Sequence, residues 1–347
     1  MAGVFESPNK ELPGVYLNIK TNEPLSIMPG DRGVTVILQE LSVGEEKKTY
    51  VITAADAAYP ENATEEDKKL AIEALKNAKT VILYKLPASH TSSDVSAALE
   101  VLETMDFDTL AYPYDGSTYD AAKTLIASWI KAMYEEEGNP MQAVVANMKA
   151  DSDRIISVNQ GVRMTDGTEL TAAEVTAWVA GITAGAGITT SNTGKKYVGA
   201  VDVLPRKKRS VLETEAKSGN FLFKVDNAQN VTIVYDINTH TNFTKEKGKA
   251  FRKNRVIRTI DCIKKDLALI YEGSYLGVYD NDDDGRALLK GIFCSYFAEL
   301  AKRHAIKNYK PDDITVTEAK ESDEVKVGIY VQPVDSIEKI YAEVNLV

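Results

Sequence analysis

Cysteine is scarce in this chain, with two among 347 residues. Cys262 and Cys294 are too few for a disulfide framework and too far apart for a zinc knuckle. Both fall in helix-like stretches, so buried reduced thiols are expected. His90, His240 and His304 are the only histidines, and their scatter leaves little for a His-rich metal centre. No run approaches the ~18–20 apolar residues that span a bilayer. The opening MAGVFESPNK has neither a basic n-region nor an apolar h-region, so no secretory leader is expected. Basic charge is in deficit: Lys and Arg total 41, Asp and Glu total 51, and the net charge is −10. That argues against whole-surface binding to nucleic acid or to an anionic membrane, while leaving room for a local basic patch.

Catalytic signatures are missing too. There is no G-x-S-x-G elbow, and no histidine stands in an H-E-x-x-H or triad context. Asp280-Asn281-Asp282-Asp283-Asp284-Gly285 opens like a calcium-binding EF-hand loop, but the twelfth position is Gly291 where a bidentate Glu is required. A solvated acidic turn leading into a helix explains it better, because acidic side chains favour a helix N-terminus. Gly181, Gly185 and Gly187 suggest a phosphate-cradling loop, yet Thr190 replaces the third glycine of a dinucleotide fingerprint. Gly194 is followed by Lys195-Lys196, and Thr189 stands where a Walker A loop needs its first glycine. Lys207-Lys208-Arg209 fits an exposed loop in so acidic a chain. The expectation is a protein that is not an enzyme, with no catalytic, cofactor-binding or metal-binding residues and no cofactor.

What is present is ordinary for a soluble globular chain: 44% apolar and 27% charged residues. The length suits about two domains. Residues 31 to about 205 alternate strand and helix patterns. Strands are expected at Val34–Leu38, 80–84, 108–112, Gln142–Asn147 and Arg154–Val158. Helices are expected near 64–78, 93–104, 118–136 and after Thr171, where capping patterns precede apolar stripes. This is the pattern of an α/β fold with a mainly parallel sheet. Leu204–Ser210 resembles a loop or boundary. Beyond it the pattern changes to a hairpin (Phe221–Val225, Asn230–Ile237), helices at about 246–266 and 285–305, and strands at Glu324–Gln332 and Glu338–Val347. A smaller α+β unit is expected there.

The ends carry the most information. In 14–20, Val15, Leu17 and Ile19 alternate with polar or aromatic neighbours, and Pro13, Pro24 and Pro29 isolate this strand from the next element. At the other end the alternation Ile340, Ala342, Val344, Leu346 persists almost to the last residue. A lone strand has no stability of its own. Either both strands close the chain's own sheet, or they pair with another subunit by β-augmentation.

Several segments have a further meaning. Pro13-Gly14-Val15-Tyr16-Leu17 resembles the start of contractile tail sheath proteins. Asn254–Asp261 (NRVIRTID), Tyr279–Gly291 (YDNDDDGRALLKG), Asn308-Tyr309 with 311–314, and Val331–Tyr341 (VQPVDSIEKIY) resemble their C-terminal domain, in the right order. The nearest likeness is to sheaths of Gram-positive prophage tails and R-type bacteriocins of the diffocin kind. The resemblance implies a structural subunit that stacks as hexameric rings around an inner tube and contracts to drive the tube through a cell envelope. It implies a particle assembled in the bacterial cytoplasm and released by lysis. Its partners would be copies of itself, the inner tail tube protein, and baseplate and tail-terminator proteins, with no nucleic acid or membrane partner.

On this reading residues 1–22 form an N-terminal arm, 23–210 an α/β outer domain, 211–335 a C-terminal inner sheath domain, and 336–347 a C-terminal arm. Inter-subunit contacts are expected from Val15, Tyr16, Leu17, Ile19, Ile340, Tyr341, Val344 and Leu346. The accepting sheet is expected to carry Val325, Val327, Ile329 and Val331. A cationic helix face, with Arg252, Arg255, Arg258, Lys264 and Lys265, or else Lys302 and Arg303, is expected to meet the tube. The competing readings are a nucleotide-dependent α/β enzyme, or a tube or baseplate protein of the same particle.

Overall fold

The computed structural model describes residues 32–55, 58–275 and 277–343. In chain order the elements begin β1 (Val34–Glu40), β2 (Thr49–Ile52), α1 (Glu65–Leu75), β3 (Thr80–Leu86), α2 (Ser92–Leu102), β4 (Thr109–Tyr112), α3 (Asp120–Glu135), β5 (Gln142–Ala146) and β6 (Ile155–Val158). They continue with β7 (Gly161–Met164), β8 (Glu169–Leu170), α4 (Ala172–Gly185), β9 (Ala200–Leu204), α5 (Arg209–Lys217), β10 (Asn220–Phe221), β11 (Phe223–Val225) and β12 (Val231–Ile233). The last are α6 (Asn254–Ser274), α7 (Asp283–Lys302), β13 (Ile306–Lys307), β14 (Ile314–Glu318), β15 (Val325–Ile329) and β16 (Gln332–Pro333).

The main sheet runs β10-β6-β5-β4-β1-β3-β2. Its pairings are parallel except for the edge strand β2, which is antiparallel to β3. The central strands are near-continuous apolar runs because helices cover both faces. Alternation along the pleat sends Val36 and Leu38 to the layer of α2 and α3, and Ile37 to the layer of α1 and α4. This is the expected α/β architecture. Helix α4 is buried on nearly every side, and its glycines explain how: a Cβ at Gly181 would lie 2.3 Å from the carbonyl oxygen of Ala74, and one at Gly185 1.9 Å from that of Asn77. These glycines let α4 and the end of α1 touch backbone to backbone.

The expected boundary at 210 moves. Residues 205–208 are the expected loop, between β9 and α5, and most of its cations are paired locally: Arg206 with Asp202, Lys207 with Glu215 and, at the start of α5, Arg209 with Glu213. Strand β10 joins the main sheet, and Phe221, Phe223, Val231 and Ile233 are buried in the α1/α4 core. The first unit therefore continues past residue 233. The second has its own core, where Ile263, Ile270, Phe293, Phe297 and Leu300 of α6 and α7 meet Ile306 and Ile314. Helix α6 starts later than expected, after a 3-10 turn at Lys249–Arg252. The acidic turn before α7 supplies its cap: the Asp282 carboxylate accepts from the Gly285 N–H at 2.8 Å. Two short antiparallel ribbons complete the unit, β13 with β16 and β14 with β15. The strand expected over 338–347 is absent from its described part: residues 334–343 carry no regular secondary structure.

Candidate assembly surface

The C-terminal segment is pinned, then released. The Val334 N–H donates to the Ala305 carbonyl at 2.9 Å, and Arg255 donates to the Ser336 hydroxyl at 2.6 Å. Glu338 is the last anchor. Its carboxylate, 8% exposed, pairs with Lys253 and accepts hydroxyl hydrogen bonds from Ser191 (3.1 Å) and Thr193 (2.6 Å). Lys253 also lies 3.4 Å from Asp335 and 4.4 Å from the centre of the Tyr235 ring. Burial opposes its charge, but Glu338 and Tyr235 outweigh that and hold its pKa above the ordinary lysine value. Beyond this anchor the apolar side chains face solvent: Ile340 is 84% exposed and Tyr341 92%, with Ile337 just before it at 89%. The Lys253–Glu338 contact, 85 residues apart, and those from Ser191 and Thr193, more distant still, carry no spacing signal in the sequence.

Val325, Val327, Ile329 and Val331 pack against the α6/α7 core, half-buried. Strand β15 is bonded only to β14, so the ribbon has open backbone edges among the described residues. Such edges are templates for another strand. Val15, Tyr16, Leu17, Ile19, Val344 and Leu346 lie outside the described residues.

The expected cationic helix face is overturned at most of its positions. Arg252, Arg255 and Arg258 are 8%, 7% and 0% exposed. Arg258 is ion-paired with Asp236 at 2.9 Å, inside the protein. Lys264 donates to the Tyr134 carbonyl at 2.8 Å, and Lys265 pairs with Asp106 at 2.6 Å. The cause is that α6 is sandwiched: its apolar stripe meets α7, and its charged stripe meets carboxylates of the α/β unit. Apolar periodicity marks only the first of these. Lys302 is 81% exposed, and Arg303 bonds Glu299 beside it.

The crevice over the carboxyl ends of β1 and β4, where doubly wound sheets take ligands, is filled by side chains. His90, 5% exposed, contacts Glu40 at 2.6 Å and the Tyr112 hydroxyl at 2.7 Å. Its ring packs 4.5 Å from Tyr114 and 5.3 Å from Tyr119. Burial pushes the Tyr112 and Tyr114 phenols well up.

A pinned tail with solvent-facing apolar groups, open ribbon edges and a filled crevice suit a chain built to join others. Comparison with known proteins agrees. The model of the phage tail sheath protein central domain matches residues 88–239, and that of the phage tail sheath C-terminal domain matches 246–347. Two Bacillus subtilis proteins, YqbK and XkdK of the phage-like element PBSX, are each 36% identical over 74% of this chain, which spans only 56% of their length. The tail sheath protein of Clostridium phage phiCD119 is 30% identical over 294 residues, 83% of this chain and 80% of that protein. The crystal structure of the sheath tail protein from Desulfitobacterium hafniense, 31% identical, superposes with a TM-score of 0.82 over 95% of this chain and 99% of that one. The anti-feeding prophage helical sheath in its contracted state, 14% identical, shares the fold with a TM-score of 0.74. By homology along both units and by structure over nearly its whole described length, this chain belongs to the phage tail sheath protein family.

Proposed function

We propose that this chain is the repeating structural subunit of a contractile sheath, and that it polymerises by donating strands to neighbouring copies. The observation that carries this is the tail: anchored at Glu338, it then presents Ile340 and Tyr341 to water. Burying an aliphatic or aromatic side chain is worth ~1.5–3 kcal/mol, so a tail that keeps these groups exposed in the single chain gains by joining a sheet elsewhere. The open β14–β15 ribbon, with Val325, Val327 and Ile329 on its packed side and Val331 just beyond it, is the acceptor. On this proposal residues 1–22 are the second arm. The subunits stack as hexameric rings around an inner tube, with baseplate and terminator proteins at the ends, and the α/β unit swings as a rigid body on contraction. Lys302 and Arg303, at the end of α7, are the tube-facing cations. Exposed charge pairs are worth ~0–1 kcal/mol each, which suits a surface that releases on contraction.

The test is negative-stain electron microscopy of the full chain, alone and with its tube protein. Hollow striated cylinders are expected. The double variant Ile340→Asp, Tyr341→Asp and a chain lacking residues 1–20 are both expected to stay folded and monomeric. Cylinders from either variant would remove that arm from the mechanism. Lys302→Glu with Arg303→Glu is expected to spare self-assembly and lose the tube.

A further inference from the structure

The point at which the described chain starts is tightly fixed. Gly33, just before β1, has a φ of +132°, and its carbonyl accepts the N–H groups of Lys79 (2.9 Å) and Thr80 (3.1 Å). Its own N–H donates to the buried Asp108 carboxylate at 2.7 Å. A Cβ on Gly33 would lie 2.8 Å from Cγ of Lys79, so the lysine stem crosses directly over this turn.

Arg32 and Lys79 line one cavity of about 460 Å³. Its other walls are Gly185, which ends α4, the turn 186–189, and Arg303 after α7. Lys79, Gly187 and Thr189 are exposed, so the cavity opens to solvent. Its described lining holds three cations and no carboxylate. The carbonyl end of α4 offsets only about half a charge. Arg303 is held by Glu299 at 2.8 Å. Arg32 is 9% exposed, its Nη1 reaches Asp108 only at 3.5 Å, and its Nε is buried without a hydrogen-bond partner among the described residues. A buried guanidinium engaged at one edge favours a further acceptor.

We propose that this cavity is the docking site of the chain's own residues 23–31, with the carboxylates of Glu23 and Asp31 set against Lys79 and Arg32. Connectivity selects this occupant: Asp31 is bonded to Arg32, so the segment starts at the cavity wall. Composition agrees. The segment EPLSIMPGD carries two carboxylates and no cation, and its Leu25, Ile27 and Met28 suit the half-buried Ile188 of the wall. Tethering gives it an effective concentration in the millimolar range, which a second copy at micromolar concentration does not match. Pro24 and Pro29 restrict the undocked segment, so docking costs less entropy. The docking stands without the assembly proposed above, while its use rests on that reading: residues 1–22 are offered to a neighbour from a fixed origin, as the C-terminal tail is from Glu338.

The experiment treats the full, unassembled chain with a carbodiimide, which condenses an amine with a carboxylate where the two touch. Mass spectrometry is expected to find Lys79 joined to Glu23 or Asp31. In a mixture of normal and heavy-nitrogen chains, the joined peptides are expected to come from one chain. Joined peptides of mixed isotope would assign the segment to a second copy and overturn the inference. So would a chain in which Lys69 couples to Glu174, a pair at 2.6 Å, while Lys79 couples to neither carboxylate. Lys79→Glu is expected to raise the critical concentration for polymerisation about fivefold, the upper end for an exposed pair. If Lys79→Glu does not fold, Lys79→Gln gives the same reading. An own-chain link with an unchanged critical concentration overturns the rooting of the arm. A wild-type chain that never polymerises fails the sheath reading, and the cross-link still decides the docking.

Discussion

Single side chains decide more here than apolar patterning reveals. Gly181 sits where any Cβ would press on the backbone of α1. Gly181→Ala is expected to cost the upper part of the ~1–3 kcal/mol typical of overpacking, read as a lowered denaturation midpoint with an unchanged slope. Arg258, fully buried on Asp236, is expected to behave as a fold residue: Arg258→Met should cost about 3–5 kcal/mol, as when one partner of a buried pair is removed, before any effect on a tube can be read. Asp67 gives a pH signature. Burial raises its pKa, but hydrogen bonds from Ser42 and Thr64 overcome that and set it at about 2, below the ordinary 3.8. A folded-state value below the unfolded one means that Asp67 stabilises the fold above about pH 4 and loses that contribution as pH falls toward 2. Asp67→Asn is therefore expected to be less stable at neutral pH and to show a shallower loss across that acid window, measured by circular dichroism. None of these roles is visible in one sequence: a glycine for close approach, a glycine for a turn and a glycine for a phosphate are spelled alike.

The helices and central strands were legible because each has one apolar period and a clear start. Capping boxes at Thr64 and Thr171, with their reciprocal bonds to Asp67 and Glu174, stand where the local pattern placed them. Elements defined by distant partners were not. Strands β2, β7, β8 and β9 are short or exposed and owe their form to a neighbour rather than to propensity. The charged stripe of α6 resembled a solvated face because its partners come from elsewhere in the chain: Asp236 for Arg258, Asp106 for Lys265, and Arg154 for Asp261. The C-terminal strand reads as a strand because its alternation is real, yet the single chain offers its described part no partner. Removing the anchor should show how the tail is held. Lys253→Met leaves the Glu338 carboxylate with only two hydroxyls, and amide exchange over residues 334–338 is expected to quicken roughly tenfold, while the sheet amides of β4 and β5 keep their protection.

Taken whole, the described molecule is two units joined by charge, most of all by the buried Arg154–Asp261 pair. Arg154, just before β6, pairs with Asp261 of α6 and lies 3.7 Å from the Tyr134 ring, while Lys265 reaches Asp106 and Asp108. The two units are therefore expected to melt in one calorimetric transition that stays single at high salt, since the buried Arg154–Asp261 pair is screened little. Asp261→Asn, which leaves a buried guanidinium without its partner, is expected to split that transition in two. The same joints have a mechanical meaning. Helix α6 is a strut about 30 Å long. At its head it carries Lys253, which grips the tail, and within its first turns Arg258 and Asp261, which are bolted to the α/β unit. Tension on the segment beyond Glu338 does not peel the terminus from its own fold. It loads Lys253, runs along the strut, and is shared through Asp236 and Arg154 with a seven-stranded sheet whose helices brace both sides.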